Sequence, residues 1–173
     1  VRAGKALYIG ISRWPLEALK FANEYLRKRD VPILIYQGRL NMLDREPQEE
    51  GILDYCAEDG IGFISFSPLA QGLLTDRYLN GIPQDSRAAR DFSLKKDSIT
   101  EETLAKIRAL NDIAVQRGQT LAQMALAWIL SNSLVTSVIV GASSIGQLDS
   151  NLQSIRNTSF SAEEIEQINA LTI

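Results

Sequence analysis

Several residue types are scarce or missing, and each absence excludes a class of function. The chain has no histidine, so by itself it holds no Ser-His or Cys-His nucleophile pair and no histidine-based metal site, and we expect no metal. Its single cysteine, Cys56, cannot form an intrachain disulfide, which favours a reducing cytoplasm, and we interpret it as a small buried helical residue. No apolar run approaches the roughly 18 residues of a membrane span, and no signal-peptide pattern is seen.

Charge and length narrow the possibilities further. Lys and Arg total 18 against 21 Asp and Glu, a net charge of −3, so we expect neither nucleic acid nor a membrane surface as partner. The 173 residues are 45% hydrophobic, which is enough for one core. A complete (β/α)8 barrel needs about 250 residues. Because the chain starts at Val1 and runs directly into a strand pattern, we interpret it as a piece of a longer protein.

Hydrophobic periodicity predicts an alternation of strands and helices. Strands are predicted at residues 6–11, 32–37, 61–66 and 136–140, the first of them buried on both faces. Helices are predicted after Pro15, over 50–59, from a capping box at Ser98 to Gly118, and after caps at Thr120, Ser144 and Ser161. This order favours a parallel α/β sheet, and no Gly-x-Gly-x-x-Gly follows a strand, which argues against a Rossmann unit. Pattern alone leaves half a barrel and an open four-stranded sheet as alternatives.

Ligands of parallel α/β folds gather at the carboxyl ends of the strands. There the sequence places Ser12 and Arg13, Gln37, residues 66–69 and the small-residue turn 141–144, which leads into a helix N-terminus suited to anions. The long connection 67–98 adds Arg77, Arg87 and Arg90. Each feature alone also has a structural explanation, such as a solvated strand end, a core Phe or an ordinary helix cap. Together they predict a surface for a polar, phosphorylated and partly aromatic ligand, without an evident acid or base.

Three segments resemble the aldo-keto reductase superfamily, and the resemblance covers essentially the whole chain. Residues 4–12 (Gly-Lys-Ala-Leu-Tyr-Ile-Gly-Ile-Ser) resemble the family's fifth barrel strand. Residues 66–75 (Phe-Ser-Pro-Leu-Ala-Gln-Gly-Leu-Leu-Thr) resemble its seventh strand and following loop. Residues 137–143 (Ser-Val-Ile-Val-Gly-Ala-Ser) and the helix after them resemble its eighth strand and cofactor helix. Within the superfamily, the chain is most similar to the branch of potassium-channel β subunits and bacterial glyceraldehyde-3-phosphate reductase-like proteins. The segments that suggest this branch are residues 66–75, 81–83, 86–87 and 125–128.

The resemblance implies an NADPH-binding role for particular side chains. At the nicotinamide end, the family's matching positions hold the carboxamide (Ser12 and Gln37) and stack on the ring (Phe66). The pyrophosphate is wrapped at the positions of Ser67, Pro68, Leu69 and Gln71, and the phosphates are approached by the positions of Arg77 and Arg87. At the adenosine end, the matching positions surround the 2′-phosphate (Gly141, Ser143 and Gln147) and contact adenine (Asn151). Two positions depart from the family pattern. Arg13 stands where an Asn often follows the strand-five Ser, and Ser150 stands where a Glu commonly contacts adenine.

The resemblance further implies that the chain is the C-terminal half, about strands five to eight, of a (β/α)8 barrel. Residues 1–173 form a single partial domain, with 67–98 as its cofactor and substrate loop. The full-length protein is expected to reduce small aldehydes or ketones with NADPH. The family's catalytic Asp, Tyr, Lys and His lie on the first four strands, so this chain is expected to be inactive alone and to need the missing N-terminal half-barrel. Because its first and last strands would have open edges, the isolated chain is also expected to self-associate. The alternatives are a nucleotide-binding regulatory subunit resembling channel β subunits, or a degenerate half-barrel with a structural role.

Overall fold

The computed structural model describes residues 1–79 and 99–173, and within them four strands and seven α-helices alternate. The strands are β1 (Ile9–Ser12), β2 (Ile33–Arg39), β3 (Gly62–Phe66) and β4 (Ser137–Val138). The helices are α1 (Leu16–Arg27), α2 (Glu46–Glu49), α3 (Ile52–Glu58), α4 (Glu101–Gln116), α5 (Leu121–Ser131), α6 (Ile145–Leu152) and α7 (Ala162–Thr172). Short 3-10 helices follow β3 and α6.

The strands form one parallel sheet in the order β1-β2-β3-β4. Every strand lies beside the one that precedes it, so the described chain has no point at which the strand order reverses. Because parallel crossovers are right-handed, this order carries the connecting helices to a single face of the sheet. A doubly wound sheet, by contrast, reverses its order and has helices on both faces. The predicted parallel α/β architecture is therefore confirmed.

The core lies between the sheet and these helices. The rings of Tyr36 on β2 and Phe63 on β3 stack there at 5.9 Å, and both side chains are buried. Gly38 completes this face because a Cβ at its position would lie 2.7 Å from the Phe63 ring. On the opposite face, Ser12, Gln37, Ile64 and Ser137 occupy one cross-strand row, and none of them is buried. The sheet thus has one packed face and one open face.

The edge strands differ from their predictions. Residues 6–11 are predicted as a strand buried on both faces, but β1 starts at Ile9, and the side chains of Leu7 and Tyr8 are 83% and 69% exposed. β1 has a neighbour on one side only, so nothing in the described chain covers its other edge. β4 is shorter than the predicted 136–140, although the backbone N–H groups of Thr136 and Ile139 also donate to β3. β2 runs two residues further than predicted, to Arg39.

Three of the four predicted helix caps are confirmed. Thr120 and Ser161 form complete capping boxes, and Ser144 accepts a bond from the N–H of Gln147. The predicted cap at Ser98 is wrong because Thr100 caps α4 and accepts from Thr103. The predicted helix over 50–59 is also wrong in its start, since Gly51 at φ 73° separates α2 from α3. Within the described ranges, no helix combines the length and hydropathy needed to cross a bilayer.

Both ends of the sheet carry exposed apolar side chains on the neighbouring helix. At the β1 end, the rings of Phe21 and Tyr25, both on α1, stack on each other. They lie on the side of the helix opposite Asn23, whose amide donates to the hydroxyl of Tyr55 on α3. We call this the aromatic edge, formed by Trp14, Phe21 and Tyr25. At the β4 end, an aliphatic edge follows α6 at helical spacing and consists of Ile145, Leu148, Leu152 and Ile155. Exposed apolar patches of this kind mark surfaces of interaction.

Candidate functional site

The carboxyl ends of β1 and β2 bring two predicted ligands together. Ser12 and Gln37 are direct cross-strand partners on the open face of the sheet. Just beyond them, the N–H of Arg13 donates to the carbonyl of Gln37 at 3.1 Å. Arg13 adopts φ 57°, a left-handed conformation that is uncommon outside glycine and turns the chain sharply away from the sheet. The two side chains therefore have a fixed spacing on an uncovered surface.

Phe66 ends β3 on the same open face. It pairs in register with Arg39 of β2 and is neither fully buried nor fully exposed. A partly exposed phenyl ring is able to stack on the ring of a bound ligand. The described residues supply no aromatic partner for this ring, whereas Tyr36 and Phe63 stack on each other on the packed face.

The turn after Phe66 is held in an unusual backbone conformation. Ser67, Ala70 and Gln71 all have positive φ values, 52°, 45° and 60°, followed by Gly72 at 104°. The carbonyl of Ser67 accepts from the N–H of Ala70 at 3.0 Å and from the side-chain amide of the fully buried Asn41 at 3.1 Å. Non-glycine residues in this region cost conformational energy and persist where the surroundings hold them, often at functional sites.

Asn41 helps to hold the turn after β3, and the sequence analysis did not identify it. Its amide donates to Ser67, while its Oδ1 accepts from the N–H of Leu43 at 2.9 Å. One buried side chain thus connects the loop after β2 to the loop after β3. Its only sequence signal was a lone polar residue within residues 40–43 (Leu-Asn-Met-Leu), which otherwise read as apolar.

Farther along this loop, the described residues include one of the two predicted basic ligands, Arg77. Thr75 accepts from the N–H of Arg77 at 3.2 Å and donates to the carbonyl of Gly72 at 2.7 Å, which fixes the direction of the loop. The side chain of Arg77 is exposed. Arg87, the second predicted basic ligand, and most of the predicted 67–98 loop lie outside the described residues.

At the other end of the site, the turn before α6 is closed by its own hydrogen bonds. Gln147 Oε1 accepts from the N–H of Ser143 at 2.7 Å and from its hydroxyl at 3.1 Å. The N–H of Gln147 in turn donates to Ser144 Oγ at 3.2 Å. Gly141, Ser143 and Gln147, the predicted 2′-phosphate ligands, are all exposed and stand together here.

Two predicted ligands carry buried polar atoms that have no partner. Asn151 is 5% exposed, and its Nδ2 finds no hydrogen-bond acceptor within residues 1–79 and 99–173. The Oε1 of Gln71 likewise finds no donor in those ranges. Leaving such a group unsatisfied costs about 1–3 kcal/mol, and a bound ligand is one way to recover that energy. Both atoms belong to residues that the resemblance assigns to cofactor binding, so these residues fit a dinucleotide.

Two groups with strongly shifted pKa values, Tyr36 and Cys56, lie in the packed core. Burial raises the pKa of Tyr36 to about 12, and its hydroxyl donates to the carbonyl of Trp14 at 2.8 Å on the packed face. Burial likewise raises the pKa of Cys56 to about 11, so its thiol stays protonated. The described residues contain no group of His, Cys, Asp or Glu side chains that could hold a metal. The arrangement of polar side chains on the open face is suited to binding a ligand.

The whole chain, residues 1–173, matches the model of the Aldo/keto reductase family. The chain belongs to this family. It is 48% identical over 172 residues to L-glyceraldehyde 3-phosphate reductase of Escherichia coli K12, and 36% identical over 156 residues to a probable voltage-gated potassium channel subunit beta of Oryza sativa. These alignments cover 97% and 88% of this chain, but only 50% and 48% of the relatives.

A solved structure shows the same relationship. A thermostable aldo-keto reductase, crystallised with the inhibitor epalrestat, superposes with a TM-score of 0.67 and 27% identity. The match covers 99% of this chain and 50% of that one. The chain therefore spans about half the length of the relatives that it matches.

Proposed function

We propose that this chain is the cofactor-binding half, strands five to eight, of a (β/α)8-barrel reductase that uses NADPH to reduce small aldehydes or ketones. One observation carries the proposal: Ser12, Gln37 and Phe66 stand at the carboxyl edge of one sheet, and Gln71 and Asn151, assigned to the same cofactor, carry buried polar atoms that have no partner among residues 1–79 and 99–173. The unreversed strand order and the half-length matches support the barrel interpretation.

Each residue has a physical role in this proposal. Ser12 and Gln37 hold the carboxamide, and Phe66 supports one face of the ring, so that the opposite face points toward the substrate. When bound, NADPH supplies the hydride, and the protein provides orientation and electrostatics. The strained Ser67–Gln71 turn holds the pyrophosphate, and Asn151 contacts the adenine. Because the resemblance assigns the catalytic Asp, Tyr, Lys and His to the first four strands, the proton donor and the residues that tune it would come from the complementary half-barrel.

The complementary half-barrel also accounts for both apolar edges. A strand and helix placed beside β1 would cover the aromatic edge, and another pair placed beside β4 would cover the aliphatic edge. The same interaction would cover the open sheet face. The name of the Escherichia coli relative, L-glyceraldehyde 3-phosphate reductase, makes a small phosphorylated aldehyde the first substrate to assay. We also propose that the protein works in the cytoplasm. Because other relatives are named channel subunits, a regulatory nucleotide-binding subunit is the second candidate.

A two-part experiment tests this proposal. The 173-residue chain is titrated with NADPH while the fluorescence of Trp14 and Trp128 is followed, and it is then assayed with an aldehyde. We expect binding without turnover. The chain is next joined to the N-terminal half of the Escherichia coli reductase, and turnover is expected to appear.

Two matched variants sharpen the test. Phe66→Ala should weaken cofactor binding, whereas Phe21→Ala, which removes an exposed phenyl ring from α1, should not. Turnover by the isolated chain would contradict the half-enzyme proposal. Absence of NADPH binding both alone and in the joined protein would contradict the cofactor role. Binding without turnover in the joined protein would favour the regulatory alternative.

A further inference from the structure

The turn before α6 is the place where the described residues fit the proposed cofactor least well. A 2′-phosphate there would need hydrogen-bond donors, and the obvious ones are the N–H and hydroxyl of Ser143. Both already donate to Gln147 Oε1, at 2.7 and 3.1 Å. The N–H of Gln147 is also used, by Ser144. A phosphate group would have to break these bonds before forming its own.

No cation from this part of the chain compensates for that loss. Residues 131–155 include β4, the turn and the whole of α6, and they contain no Lys or Arg. Their one charged side chain is Asp149, which is negative. Phosphate recognition generally depends on Arg or Lys, because charge-assisted bonds are much stronger than neutral ones. Within residues 131–155, the remaining attraction comes from neutral N–H donors at the start of α6 and from the helix dipole, which is modest at an exposed helix end.

The same helix is better suited to binding the uncharged groups of adenosine. Asn151 is buried and its Nδ2 has no acceptor in the described ranges, which suits a ring nitrogen of adenine. The adjacent Ser150 is fixed by Gln123 of α5, whose Nε2 donates to the Ser150 carbonyl at 3.0 Å and lies 3.3 Å from its hydroxyl. Adenine and an unmodified ribose therefore meet neutral hydrogen-bonding groups on a positioned helix.

From this we propose that the adenosine end of the site discriminates weakly between the 2′-phosphate and the 2′-hydroxyl, so that NADH binds nearly as well as NADPH. This rests on the cofactor role proposed above and specifies which dinucleotides the site accepts. Because NADH and NADPH share every group except the 2′-phosphate, contacts to the shared groups cancel in the ratio of the two dissociation constants, and this ratio reports on the 2′ position alone.

The test is a pair of fluorescence titrations, with NADPH and with NADH, on the 173-residue chain and on the same chain joined to the Escherichia coli N-terminal half. We expect the two Kd values to differ by less than about tenfold, which corresponds to 1.4 kcal/mol. A preference for NADPH of about a hundredfold or more would overturn the inference and leave the cofactor role intact. Failure of both dinucleotides to bind would overturn both.

Three variants separate this explanation from its rivals. In the isolated chain, where the aliphatic edge is uncovered, Ile145→Arg adds a cation in the exposed first turn of α6 and should tighten NADPH binding severalfold while leaving NADH binding unchanged. Ile155→Arg makes the same change at the far end of the aliphatic edge and should alter neither. Gln147→Ala releases the donors of Ser143, so NADPH affinity should hold or rise. A selective fall in NADPH affinity in that variant would show that Gln147 itself binds the phosphate and would overturn the inference.

Discussion

The N–H of Arg13 donates to the carbonyl of Gln37, and this bond places the end of β1 beside the end of β2 at the row where Ser12 faces Gln37. The bond joins backbone atoms, so it does not depend on either side chain. Ser12 is exposed, and Gln37 is partly exposed, on the open face. Their side chains are therefore replaceable without loss of core packing, and their contribution to ligand binding is separable from stability.

Ser12→Ala and Gln37→Leu should weaken cofactor binding while leaving the fold intact. Each removes one hydrogen-bonding side chain from the carboxamide site, and a typical net hydrogen bond corresponds to a Kd increase of about three- to tenfold. Titration of each variant with NADPH and urea denaturation measure the two effects. Ser133→Ala, in the exposed turn after α5, serves as the control. Unchanged affinity in both variants would remove these residues from the site.

Asn41→Leu should destabilise the loop after β3 and weaken cofactor binding indirectly. The substitution leaves the Leu43 N–H without its acceptor and Ser67 without its side-chain donor, which costs about 1–3 kcal/mol for buried groups. The change is measured as a lower urea midpoint with an unchanged slope. Asn132→Ala, which removes a similar local bond to Leu134 in a less buried turn, should cost less. Equal losses would indicate that Asn41 has no special role in the loop.

Local signals in the sequence predicted structure better than signals that depend on distant partners. Thr120 and Ser161 were correctly predicted as caps because the bonds that define a capping box span three residues. The exposure of Leu7 and Tyr8 was not predictable, since the burial of a strand depends on its neighbours in space. The positive φ of Ala70 and Gln71 was also missed, because these residue types give no sign of that conformation. The candidate site residues were predicted from the resemblance to a family, and Asn41 was not among them.

The ion pair between Arg117 and Glu164 should make stability depend on acid pH. Burial opposes ionisation of Glu164, but the backbone N–H of Ser161 and the Arg117 guanidinium, 2.7 Å away, lower its pKa below the ordinary 4.5. Its contribution is therefore complete above about pH 4.5 and is lost as the pH falls through the lowered folded-state pKa. Glu164→Gln should cost about 1 kcal/mol at pH 7, and the deficit should shrink in acid.

Urea denaturation of both proteins from neutral to acid pH checks this. Glu163→Gln, an exposed neighbour in the same helical turn, is the control. A deficit that stays constant down to pH 3 would show that the charge of Glu164 does not stabilise the fold.

The isolated chain should self-associate, because both ends of its sheet expose apolar side chains and unpaired strand edges. β1 and β4 each have one paired side, and the aromatic and aliphatic edges flank them. A second copy can pair with these strands in parallel, since the β4 edge of one chain can pair with the β1 edge of another.

Sedimentation velocity over a range of protein concentrations should show mass above that of the 19.2 kDa monomer. Phe21→Glu and Leu148→Glu, one at each edge, should reduce the association, whereas Val115→Glu on the exposed face of α4 should not. A monomer that melts cooperatively at all concentrations would mean that the open edges are tolerated, and the need for a complementary half-barrel would then rest on catalysis alone.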